Sequence, residues 1–393
     1  MAKSSALTEL SGGVSSFTLV GKAKIREGAF SGVTQKEGSL WRQVNSSFGV
    51  DTGEGNVVYG RIWGGFMTDK QSFMARKAED GKFFDVKWSE RLNEEVVESI
   101  NQYELYKAGL ETGADGKLII REFAHAIDFE NYLAENLKND TDVRVRGEVN
   151  YNEYNGNINR QYNVKTVYLN TPYEKNGETK QSPAVAQMRQ TLLINDDALD
   201  RKWERELEKD GETLVTVFVP QYVGNMTVDG KKVKIGRQVA FPQVIKVKVD
   251  KEDEKAVELR KNVIKRYFVV KKGTVREVQS YLDINEGYQE AQGVELNDEM
   301  RELIEMGMLT EEDVKKQMTI RGNRVSELVF SKPLIKPDEN GKPTLVLEDE
   351  KYVPEALFPP ILDGEDDANS TFSEDEDEVT EAISDDAFAE LFS

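Results

Sequence analysis

A mainly β fold with inserted helices, built twice over and ended by an acidic tail, is predicted from three features of the sequence. Short strand-like runs bounded by glycine or charged turns recur along the chain, helical segments interrupt them at matching places in the two halves, and residues 363–393 hold no Lys or Arg. The length of 393 residues exceeds what one small core holds, so two folded domains with appendages are expected.

Residues 1–13 are small and polar and read as a flexible N-terminus. From Val14 the runs VSSFTLVGKAKI, SLWRQVNSSFGV and GNVVYGRIWGGF read as strands. SFMARKAEDGKFFDVKW reads as a hairpin with Asp80-Gly81 in its turn. Ser89 is a candidate N-cap for a helix carrying Leu92, Val96, Val97, Ile100 and Tyr103 on one face. A second helix is predicted from about Arg121, with Phe123, Ile127, Leu133 and Leu137 at helical spacing. It runs into TDVRVRGEVNYNEYNGNINRQYNVKTVYL, an alternating segment folded back at Asn155-Gly156. Strands, a helix, then a final strand pair is the chain order of the five-stranded OB barrel, which places an OB domain at 14–172.

Residues 173–190 are polar, contain one proline with another just before them, and read as a linker. The second half repeats the order without residue-level identity. TLVTVFVPQYV, KVKIGRQVAF and QVIKVKV are strands about an Asp229-Gly230 turn, a charged helix covers roughly 252–266, and YFVV and TVREVQSYLDI return to strand. Helices near 298–306 and 311–318 precede RGNRVSELVFSKPLI, so a second OB-like or other small β domain is expected over 191–345. Residues 346–393 are proline-spaced, then wholly acidic, and read as a disordered docking tail.

Several function classes find no support. Cysteine is absent, so neither disulfides nor thiolate metal sites are expected. The single histidine, His125, excludes multi-His metal centres and, lying alone within a predicted helix, reads as structural rather than as a triad base, and no phosphate-binding glycine loop is present. The expectation is a binding protein with no metal or nucleotide cofactor. No apolar run reaches the roughly 18–20 residues that span a bilayer, and MAKSSALTEL lacks a signal-peptide core, which predicts a soluble, cytoplasmic chain without a membrane partner. The net charge of −20 is concentrated at one end: residues 363–393 hold 13 acidic side chains, so the first 362 residues carry only −7.

Between Trp41 and Trp88 nine aromatics fall in 48 positions, interleaved with Lys and Arg. Rings that stack on bases beside cations that meet phosphates are what single-strand binding needs. Candidate contacts here are Trp41, Arg42, Tyr59, Arg61, Trp63, Phe66, Arg76, Lys77 and Trp88. Strand alternation turns about half of such rings inward. A second cluster, Arg144, Arg146, Tyr151, Tyr154, Arg160 and Tyr162, lies in the last strand pair of the first domain, whose joining loop is a ligand-binding loop in OB folds. At the far end Ile383, Asp385, Asp386, Phe388, Leu391 and Phe392 mix rings with carboxylates, a composition suited to a peptide entering a partner's pocket beneath a basic rim.

SFTLVGKAKI, the helix leading into DVRVRGEVNYNEYNGNINRQYNVKTVYL and the terminal DDAFAELF together resemble the OB-fold single-stranded DNA-binding proteins of the bacteriophage type. The resemblance covers 14–170 closely and 190–345 loosely. It implies sequence-independent coating and protection of single strands during phage DNA replication, recombination and repair, in the host cytoplasm for a viral chain. It also implies that the tail recruits replication and recombination enzymes. Bacterial members usually end in Pro-Phe, whereas this chain ends Leu391-Phe392-Ser393. Two other readings are a virion structural or assembly protein with OB-like barrels and an acidic DNA mimic. A mimic would spread its carboxylates over a folded surface, and here they collect at one end.

Overall fold

The computed structural model describes residues 6–154, 157–175, 177–228, 231–288, 298–308, 310, 324–338 and 341–358. The first half holds strands β1 (Ser15–Lys24), β2 (Thr34–Gln35), β3 (Trp41–Asp51), β4 (Val57–Met67), β5 (Ser72–Arg76) and β6 (Phe83–Lys87), then helix α1 (Glu94–Ser99). β7 (Tyr106–Thr112), β8 (Leu118–Phe123), helix α2 (Ala126–Asn136), β9 (Asp142–Tyr154) and β10 (Asn157–Leu169) follow. Five of these strands pair in a circuit: β1 with β3, β3 with β4, β4 in parallel with β10, β10 with β9, and β9 back to β1. Alternation decides what the circuit encloses. Val44, Phe48 and Val50 of β3, Val58, Ile62 and Phe66 of β4, and Val143, Val145 and Val149 of β9 are all buried. From α2, Ile127, Phe129 and Leu133 join the same core.

After a small hairpin of β11 (Tyr173–Lys175) and β12 (Glu178–Lys180), the pattern returns. It consists of β13 (Val185–Ile194), α3 (Trp203–Asp210), β14 (Glu212–Val228), β15 (Lys231–Lys248), α4 (Glu254–Tyr267), β16 (Val275–Tyr288), α5 (Asp298–Glu305) and β17 (Arg324–Pro333). Short strands β18 (Ile335–Pro337), β19 (Pro343–Leu345) and β20 (Leu347–Tyr352) complete it. Here β13 pairs with β14, β14 with β15, β15 in parallel with β17, β17 with β16, and β16 with β13. The cyclic order matches the first circuit, and each unit has a helix, α2 or α4, between its third and fourth circuit strands.

The units are joined through their first strands, with Ser15–Val20 of β1 antiparallel to Val185–Gln190 of β13. Two polar locks add to that seam. Asn56 accepts from the Glu286 N–H at 2.8 Å and donates to the Ile284 carbonyl at 2.9 Å. Arg160 meets Glu286 at 2.8 Å and Ser326 at 3.0 Å, with both ionic side chains of the pair largely buried.

Several boundaries differ from the sequence reading. Residues 118–123 are strand β8, and the helix begins only at Ala126, because His125 caps it by accepting the Ile127 N–H. Asn93, not Ser89, caps α1, with Glu94 and Glu95 in the first turn where carboxylates suit the helix dipole. Leu92 and Tyr103 are exposed and form no buried face. The YFVV segment is not a strand: Tyr267 ends α4, and Tyr267 and Phe268 are buried. β11, β12 and most of β13 occupy the expected linker.

Ordered chain also extends past residue 346. β20 pairs with β16, Leu7 hydrogen-bonds Lys351, and Tyr352, Ala356 and Leu357 are buried against Leu193, Phe218 and Ala240. The turns at 155–156 and 229–230, the helix expected at 311–318, and residues 359–393 with Ile383, Asp385, Asp386, Phe388, Leu391 and Phe392 lie outside the described residues.

Candidate nucleic-acid interface

The outward face of β3 and β4 gathers the aromatic and cationic residues singled out by the sequence. Register places Asn45 opposite Trp63, Ser47 opposite Arg61 and Gly49 opposite Tyr59, all on the side away from Val44, Phe48 and Ile62. Trp63 is 43% exposed. Its ring lies 6.4 Å from that of Trp41, tilted by 37°, and both indole N–H groups donate to the Gln43 Oε1, at 3.2 and 3.1 Å. One amide thus holds two rings in a fixed relation.

Gly65 makes the arrangement feasible. A Cβ there would stand 2.3 Å from the Arg42 carbonyl and 2.7 Å from the Trp41 ring. Without it, the indole can lie close against the strand.

Arg61 is held beside these rings. Its Nε donates to Asn45 Oδ1 at 2.8 Å, its NH1 to Gln161 Oε1 at 3.1 Å, and its guanidinium lies 5.8 Å from the Trp63 ring centroid. Burial pulls its pKa below the ordinary guanidinium value. A cation beside a half-exposed ring on a strand face can meet a phosphate while the ring meets a base. Tyr59 continues the face, with Arg26 from the loop after β1 lying 5.1 Å over its ring. That loop is anchored to α2, since buried Glu130 accepts from the Gly32 N–H at 3.0 Å and the Ser46 hydroxyl at 2.7 Å.

Other sequence candidates separate by position. Arg42 is exposed at the start of β3, on the opposite parity from Trp41 and Gln43. Arg144 and Arg146 share the outer side of β9, two strands round the circuit from β4, and Arg144 is bonded to Ser182. Arg76 and Lys77 lie on the β5–β6 hairpin, each beside a ring: Phe83 at 4.3 Å and Phe84 at 5.8 Å. The side chain of Tyr154 lies outside the described residues.

Five candidates are structural instead. Phe66 is buried and stacks on Trp88 at 3.8 Å, and Arg91 and His125 pack against the same indole. Tyr151 and Tyr162 are buried on the inner parity of β9 and β10, where Tyr151 bonds Gln190 and Tyr162 packs edge-on to Phe17. Burial raises both phenol pKa values. Arg160 belongs to the lock with Glu286. Burial alone would lower its pKa, and Tyr162 and Glu286 more than reverse that. None of these groups is free to stack on a base.

The reading from sequence passed over Gln43, Asn45 and Gln161, which orient the rings and the arginine, and Arg26. Their signal was present: Gln43 and Asn45 alternate with buried Val44 and Ser46, so they share the Trp41 face.

In the second unit the corresponding face, the outer side of β14 and β15, is partly covered by the chain's own ends. Phe218 and Ala240 lie beneath Ala356, Leu357 and Leu10, and Phe358 meets Phe218 edge-on at 5.4 Å.

No protein family and no curated protein matches the chain. Among solved structures it is similar to a deletion mutant of the single-stranded DNA binding protein from Thermus aquaticus, at 12% identity, over 70% of this chain and 89% of that one, with a TM-score of 0.26. So slight a likeness assigns the chain nothing, and its own residues carry the reading.

Proposed function

We propose that this chain binds single-stranded DNA without sequence preference, through the outward face of β3 and β4, and acts as a binding protein rather than an enzyme. The observation that carries the reading is the Trp41–Trp63 pair on one glutamine with Arg61 beside it, on the outer side of the second and third circuit strands. We read both circuits as OB-type barrels, because each has five strands and a helix between the third and fourth, and in OB folds that face binds oligonucleotides. Stacking on rings tolerates any base, which makes the binding general. The first barrel is the binding unit, since the second has its equivalent face partly filled by residues 356–358.

Single-strand coating during phage replication and recombination in the host cytoplasm is the role that fits such binding. The acidic tail then recruits the enzymes of those reactions through Phe388, Leu391 and Phe392. A competition assay between oligo-dT and duplex of equal length tests the binding. Oligo-dT is expected to win, with log affinity falling linearly in log salt at about −0.7 per phosphate neutralised. Equal affinity for duplex would remove this reading.

A further inference from the structure

We propose that the single-strand path continues from β3–β4 onto the β5–β6 hairpin, where Phe83, with Arg76 against it, forms a second stacking station. This rests on the single-strand reading of the Trp41–Trp63 face and extends it. The register carries the inference. Trp41 pairs with Met67, Met67 with Ser72 and Ser72 with Lys87, one row across β3, β4, β5 and β6. Directly paired residues share a sheet face, and side chains two apart on a strand share it too. Met74, Arg76, Phe83 and Asp85 therefore lie on the same side as Trp41 and Trp63.

Exposure agrees with the register. The hairpin's other side, Phe73, Ala75, Phe84 and Val86, packs on Ile100 and Leu105 and satisfies the fold. On the shared side Met74 is 56% and Phe83 59% exposed, two large apolar side chains with no role in the core. Arg76 lies 4.3 Å over the Phe83 ring and is held by Glu104 at 3.2 Å. A guanidinium plane against a ring offers a base either surface to stack on.

Charge indicates what kind of contact this is. Between Asp69 and Glu90, Lys70, Arg76, Lys77, Lys82 and Lys87 are balanced by Asp69, Glu79, Asp80, Asp85 and Glu90. A neutral hairpin draws phosphate weakly, so the station works by stacking, and its loss leaves the salt slope unchanged.

The test titrates the full chain and its Phe83→Ala and Phe83→Tyr variants with oligo-dT of about 4 and about 16 nucleotides, the two ends of the usual span of one OB unit. Phe83→Ala should lose roughly 5- to 100-fold on the longer strand, with an unchanged salt slope and unchanged affinity for the shorter one. Phe83→Tyr should bind as wild type. Unchanged affinity of Phe83→Ala at both lengths, while Trp63→Ala is weakened, would overturn the second station and leave the first standing. Absence of oligo-dT binding by wild type would remove both. Loss of self-association in Phe83→Ala, without loss of binding, would give the hairpin to a second copy of the chain and also overturn the proposal.

Discussion

Trp63 faces solvent while its neighbour Ile62 is fully buried, and this one-residue alternation separates binding residues from core residues throughout the first unit. Trp63→Ala should keep the fold and weaken oligo-dT binding by about 1–3 kcal/mol in a fluorescence-anisotropy titration. Trp88→Ala should do the opposite, costing about 1–3 kcal/mol of stability in urea unfolding, because its half-buried ring stacks on buried Phe66. His125 supplies a pH signature. Its Nδ1 accepts the Ile127 N–H, so Nε2 carries the proton and donates to the Gly65 carbonyl at 3.1 Å. Burial lowers its pKa, against the smaller opposing effect of that bond. Below pH about 6.5 the unfolded chain takes up a proton more readily than the folded chain, so stability falls as pH drops. As the single histidine, it is the one side chain ordinarily titrating between pH 5.5 and 7. Urea midpoints across that range should slope in wild type and flatten in His125→Asn, which keeps a capping acceptor.

At the scale of elements, the strands and the α2 and α4 regions were legible because alternation and helical spacing are local. Some site errors were legible too. Tyr151 shares its parity with Val143, Val145 and Val149, and Phe66 shares its own with Val58 and Ile62, so period 2 already places them inside. Nothing local reveals Arg160 or the end of the chain. Arg160 finds Glu286 across 126 positions, and Tyr352 packs on strands from β13 onward through a segment whose composition looks like a solvated tail. Arg160→Ala should therefore destabilise by about 3–5 kcal/mol in urea unfolding, because Glu286 is left in a largely buried site without its partner. Arg160→Met combined with Glu286→Leu should cost much less, since no charge is stranded. For the chain end, the comparison is with a chain that stops at Phe358. Relative to it, truncation after residue 345 should lower the melting temperature by several degrees, because β20 and the buried Tyr352, Ala356 and Leu357 are lost.

For the molecule as a whole, two joined units present one open aromatic–cationic face and one partly covered by the chain's own ends, with most of the excess negative charge at the far terminus. Removing residues 359–393 deletes 13 acidic and no basic side chains, so oligo-dT binding should tighten, and the gain should shrink as salt rises. Phe388→Ala with Phe392→Ala keeps every charge and should leave binding as it is while abolishing capture of partner enzymes. On the proposed function, the single strand should lie over Trp41 and Trp63. Of the four tryptophans, Trp88 is half-buried with its ring packed by Phe66 and Arg91, and Trp203 is buried in α3, so quenching of tryptophan emission by oligo-dT reports mainly on the other two. The decisive measurement is that quench in wild type and in the Trp41→Phe, Trp63→Phe double variant, which keeps stacking rings but removes the indoles. The account predicts strong quenching in wild type, and oligo-dT binding by anisotropy with little residual quenching in the variant. Quenching that persists undiminished in the variant would place the strand elsewhere on the molecule and contradict it.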